Sequence, residues 1–141
     1  MNKANEFINT LSENLGIEDK EKVYRMFKSV LHTLRDSITL ENSLHFLAQL
    51  PFILKATYVD NWSHKVKRIK IKHTEDFVKL VKRNDGKAFD YDFLSDGEVE
   101  RICKIIFSTI GDFISEGEMN NLKSVLPSEI KQLFDSEPVL L

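Results

Sequence analysis

The stretch AQLPFIL at residues 48–54 returns in altered form as SVLPSEI at 124–130, which sets Leu50-Pro51 and Leu126-Pro127 76 residues apart. Proline has no backbone N–H and a fixed φ, so a helix can start at it but not run through it. The two dipeptides therefore mark two breaks in the path of the chain, and the residues around them extend the likeness. At the same shift Val30 falls on Ile106, Leu34 on Ile110, Asp36 on Asp112, Ile38 on Ile114, Thr39 on Ser115, Phe46 on Leu122, Leu54 on Ile130 and Tyr58 on Phe134. Upstream, Phe7 and Leu11 match Phe77 and Val81 at a shift of 70, the difference being extra residues near 87–94. This pattern predicts two divergent copies of one helical unit. A unit of that size cannot bury its apolar face alone, so the halves, about 5–62 and 74–136, are expected to share one core. The expectation is a single all-α domain over residues 1–141, a bundle of about seven or eight helices with a connector at 63–73.

The individual helices follow from apolar spacing. Phe7, Ile8, Leu11 and Leu15 form a stripe that Gly16 is placed to end. Asp19 is a natural N-cap for KEKVYRMFKSVLHTLRDS, which carries Val23, Met26, Phe27, Val30, Leu31 and Leu34 on one face. Thr39 caps a third helix to about Gln49, presenting Leu40, Leu44, Leu47 and Ala48, and Pro51 suits the first position of a fourth. In the second half Thr74 caps EDFVKLVKRN, and Gly86 lies near its end. Ser95 with Glu98, and Ser115 with Glu118, have capping-box spacing, flanked by the staple pairs Leu94 with Val99 and Ile114 with Met119. The long helix between them carries Val99, Ile102, Cys103, Ile106 and Ile110.

No window approaches eighteen apolar residues, so no membrane span is expected, and the first residues lack the apolar run of a secretory signal. The single cysteine, Cys103, cannot form an intramolecular disulfide, and a cytoplasmic location is the expectation. The net charge of −2 conceals an uneven distribution. Basic and acidic residues number seven against eight over 1–64, nine against three over 65–87, and four against eleven over 88–141. A basic middle and an acidic end can steer a partner or face one another.

The residues VLHTLRDSITLENSLHFLAQLP, YVDNW and ISEGEMNNLKSVLP carry a resemblance to the bacterial and archaeal domain-of-unknown-function family 2267 (DUF2267). Its pattern runs long helix, Leu-Arg-Asp, Ala-Gln-Leu-Pro, a Trp and a late Leu-Pro. Here these are Leu34-Arg35-Asp36, Ala48-Gln49-Leu50-Pro51, Trp62 and Leu126-Pro127. The resemblance implies an all-helical fold in a bacterial cytoplasm and brings no reaction with it. Asn61 stands before Trp62 where the family commonly has glycine, and the following connector is unusually basic.

That connector, SHKVKRIKIKH, is the first candidate site. Lys65, Lys67, Arg68, Lys70 and Lys72 can neutralise phosphates, and Trp62 can stack on a base, as in single-strand binders. The plainer reading is a solvated link whose Val66, Ile69 and Ile71 cover the core while the cations stay in water. His32 and Asp36, at i and i+4, can reach one metal ion with His45 near the corner, but such a pair supplies too few ligands. Cys103 lies on a buried stripe and reads as a core residue, and Asp36 and Asp112 read as turn residues. The acidic run DYDFLSDGEVE lacks the order of a calcium loop. No phosphate loop, zinc pattern or nucleophile elbow occurs, so no catalytic residue, cofactor or metal is assigned. The favoured expectation is an interaction or regulatory module that binds a protein partner or itself. Nucleic-acid binding through the connector comes second, and an enzyme or metal protein of unknown type third.

Overall fold

The computed structural model describes residues 3–63 and 68–135. Within them the chain forms α1 (Lys3–Leu15), α2 (Lys20–Ser37), α3 (Leu40–Gln49), α4 (Phe52–Val59), α5 (Thr74–Asp85), a 3-10 turn (Gly86–Ala88), α6 (Phe89–Phe93), α7 (Asp96–Gly111), α8 (Glu116–Ser124) and α9 (Ser128–Asp135). No strand occurs among the described residues. The all-α expectation holds, with eight helices of eight residues or more and the five-residue α6 added in the extra segment near 87–94.

Local chemistry sets the boundaries. Gly16 takes φ +70° and Gly86 φ +64°, a left-handed conformation that costs glycine little and ends α1 and α5. Asp19 caps α2, its Oδ1 accepting from the Glu21 and Lys22 amides at 3.1 and 3.2 Å. Thr39 and Ser115 cap α3 and α8 in the same manner, accepting from the Asn42 amide at 3.1 Å and the Glu118 amide at 3.2 Å. Pro51 is the N-cap of α4 instead of its first helical residue, and its carbonyl accepts the Lys55 amide at 3.0 Å. Pro127 stands just before α9 and accepts the Lys131 amide at 2.9 Å.

Three further local expectations are corrected. His73, not Thr74, precedes α5, and Asp76 Oδ2 accepts the His73 amide at 3.1 Å. Ser95 makes no side-chain cap; Glu98 is held instead by the Arg101 guanidinium one turn on, at 2.7 and 3.0 Å, and Leu94 is exposed while Val99 is buried. On α3 the buried residues are Ser43 and Phe46, so Leu40 and Leu44 point outward.

One core runs through both halves, from Phe7, Phe27 and Leu34 to Phe77, Ile106 and Leu133. The first helix of each half packs most extensively on the long helix of the other, α1 on α7 and α5 on α2. If α1, α2, α3 and α4 are exchanged for α5, α7, α8 and α9, most of the packing maps onto itself. Contacts of α2 with α4 become those of α7 with α9, and α1 with α4 becomes α5 with α9. The α3–α8 and α2–α7 contacts map onto themselves, while α3 with α4 lacks a comparably extensive counterpart. Two hydrogen bonds follow the same exchange. Asn14 Nδ2 donates to Thr109 Oγ1, and Asn84 Nδ2 donates to Thr33 Oγ1, both at 2.9 Å. Each threonine hydroxyl in turn donates to a carbonyl one turn back, Ile105 or Ser29.

Candidate functional site

Trp62, the aromatic centre of the first candidate site, is already engaged. Its amide donates to the Val59 carbonyl at 3.0 Å, its ring meets Tyr58 edge-on at 5.7 Å, and it packs against the core. The Arg35 guanidinium lies 6.0 Å from the same ring, close enough for a cation–π contact. Arg35 is itself buried: one of its nitrogens donates to the carbonyls of Tyr58 and Asp60, both at 2.9 Å, and Nε donates to Asp36 at 3.1 Å. His32 Nε2 donates to the Thr57 carbonyl at 2.7 Å, and burial holds its pKa below the ordinary value. The C-terminal carbonyls of α4, unsatisfied within the helix, are thus closed by two side chains of α2. His32, Arg35, Asp36 and Trp62 come together as a brace, with His32 and Asp36 committed to other partners than a metal. Among the described residues no group of three or more His, Cys, Asp or Glu can hold an ion.

The connector divides. Lys65 and Lys67 lie outside the described residues. Arg68 Nε donates to the Ser37 carbonyl at 3.2 Å, and the Ile69 amide to the Asp36 carbonyl at 2.8 Å, so this end is fastened to the end of α2. Exposure then alternates, with Ile71 buried and Lys70 and Lys72 exposed. Lys70 does not stand with Trp62. It lines a groove of about 290 Å³ with Ile69, Ile71, Asp76, Lys79, Leu80 and Arg83. Lys79 and Arg83, one turn apart on α5, were missed in the reading of the connector alone; their i, i+4 spacing within the basic block is the signal for them.

A second surface is apolar. Leu40 is 58% exposed, Leu44 53% and Phe52 86%. Leu40, Leu44 and Ala48 lie one turn apart on one face of α3, and Phe52 opens α4. Near His45 the cleft between α3 and α8 is slight, about 20 Å³.

The acidic groups of 90–100 also have structural partners. Asp92 is buried and receives both prongs of Arg25, at 2.8 and 3.1 Å, while Tyr91 lies 4.7 Å from the Lys22 ammonium. Beside this pair, Asp85 Oδ2 is buried and receives no donor among the described residues. Burial, then the Asp92 carboxylate, pushes the Asp85 carboxyl up to about 7. Cys103 is fully buried, and burial pushes its thiol far up, so it presents no thiolate to a substrate.

Among the described residues no helix is long and apolar enough to cross a membrane. No curated protein matches the chain. The family model of an uncharacterised conserved protein (DUF2267) matches residues 4–133. With the helical bundle, the Arg35 brace and both Leu-Pro breaks inside that span, the chain belongs to the DUF2267 family.

Proposed function

We propose that the protein is a small interaction module that docks another protein, or a second copy of itself, on the outward face of α3 and the start of α4. We also infer that its two halves are divergent copies of one unit, built to fold as a single domain. The observation that carries the docking surface is a comparison within the chain. At the shift of 76, Leu40, Leu44, Ala48 and Phe52 fall on Glu116, Asn120, Ser124 and Ser128. All eight positions are exposed, so the same architecture is served by polar residues in the second half. Folding therefore does not require leucine or phenylalanine at these sites, and an exposed apolar row costs solubility unless something covers it. The reading also draws support from the commitment of His32, Arg35, Asp36, Asp92 and Cys103 to internal contacts, which leaves them no evident catalytic task. A nucleic-acid partner has less in its favour, since Trp62 is packed edge-on against Tyr58 and Arg68 is turned back onto α2.

Paired variants test this. Leu44→Glu with Phe52→Glu should leave circular dichroism and the thermal midpoint close to the parent. The double variant should also abolish concentration-dependent association in sedimentation velocity, or the capture of a protein that the parent retains from a lysate. A parent that stays monomeric at every concentration and retains no protein would refute the proposal.

A further inference from the structure

The groove between residues 68–72 and α5 is built from residues that the docking row does not use. Its floor is aliphatic, from Ile69, Ile71 and Leu80, and its rim is cationic, from Lys70, Lys79 and Arg83. Asp76 is the one carboxylate in the lining, and it is already committed, its Oδ2 accepting the amides of Lys72 and His73 at 3.3 and 3.1 Å. The rim cations form no ion pair among the described residues. They are also not required by the fold. Lys79 and Arg83 fall on Asn9 and Glu13 of α1 at the shift of 70 that aligns the two helices. One half thus places two positive charges where the other places none.

From this we propose that the groove binds an acidic, extended segment of a partner protein, one that sets a Val, Leu or Ile side chain on the aliphatic floor and carboxylates against the rim. A volume of about 290 Å³ suits one or two aliphatic side chains and is far too small for a helix. An extended occupant is further favoured by the wall it would lie along. Residues 68–72 alternate between exposed and covered side chains, and the backbone N–H and C=O of Lys70 bond no group among the described residues. An incoming strand can pair with that free backbone while its alternate side chains enter the groove. The floor has no aromatic ring on which a nucleotide base would stack, which favours a peptide over a single-stranded nucleic acid.

The experiment uses the full chain and three fluorescent probes: a capped peptide alternating Glu with Val and Leu, its counterpart with Lys in place of Glu, and mixed-sequence single-stranded DNA. Anisotropy titration at low salt should show the acidic peptide binding with Kd on the order of 10 μM. Binding should weaken as salt shortens the range of the charges. Lys79→Glu with Arg83→Glu, both exposed and expected to fold, should weaken it by about tenfold or more, since each reversal adds repulsion as well as removing a contact. Leu44→Glu with Phe52→Glu should leave it unchanged, which keeps this test separate from that of the docking row. Three results would overturn the inference: no binding of the acidic peptide, binding indifferent to the charge reversals, or tighter binding of the DNA through the same residues.

Discussion

A carboxyl group that is shielded from water beside another carboxylate, to which only its protonated form can donate, holds its proton longer than one in solvent, and Asp85 is in that position beside Asp92. Its carboxyl is raised from 3.8 to about 7, so between these values the folded chain binds the proton that the unfolded chain has released. Stability from this group is therefore present below about pH 4 and lost as pH rises through about 7. Replacing it by Asn should flatten that fall. At pH 8 the variant should be more stable by about 1–2 kcal/mol, a figure reduced for the solvent screening of a half-exposed group. Urea titrations of parent and Asp85→Asn at acid and alkaline pH check both sign and size. The Asn–Thr bonds give a second residue-level prediction. Thr33 and Thr109 are fully buried, and Asn14 and Asn84 each supply their hydroxyl with a donor. Asn14→Ala and Asn84→Ala should each cost about 0.5–1.5 kcal/mol in the same assay.

Among the elements, α4 depends most visibly on another helix. Apart from the Trp62 amide on the Val59 carbonyl, its last turn is closed by Arg35 and His32 from α2. Arg35→Ala leaves the Tyr58 and Asp60 carbonyls without their donor and removes the contact with Trp62. A loss of about 2–4 kcal/mol is expected. Arg35→Lys should recover less than half of it, because an ammonium cannot reproduce the guanidinium fork or its stacking; thermal unfolding followed by near-UV dichroism of Trp62 reports both. The long helices were legible in the sequence because their apolar stripes persist over many turns, from Val23 to Leu34 and from Val99 to Ile110. Residues 86–93 were not, since a 3-10 turn and a five-residue helix are too short to show a period. The facing of α3 was misread for another reason. Its apolar residues lie on two sides, and Phe46, not the Leu40–Leu44 row, is the one held by the ring of Tyr58, at 5.7 Å. Spacing alone also missed the failure of the Ser95 cap: the Glu98 amide donates to the Ser95 carbonyl at 3.2 Å and not to its hydroxyl, and the Glu98 carboxylate is held by Arg101. Of the connector, Lys70 was found in a groove, but its companions come from α5 and could be joined to it only in three dimensions.

For the molecule as a whole, the crossing of α1 onto α7 and of α5 onto α2 means that neither half retains its best packing partner alone. Expressed separately, residues 1–63 and 68–141 should each give weak helical dichroism. Mixed, they should regain the signal and a cooperative transition whose midpoint rises with concentration. Two fragments that fold singly would refute the shared core. The paired Asn–Thr bonds carry a design consequence. A tandem of two first halves would present Asn14 of each to Thr33 of the other, and both reciprocal bonds would form without any residue of the second half. Such a symmetric protein would also carry the Leu40–Phe52 row twice, once on each half.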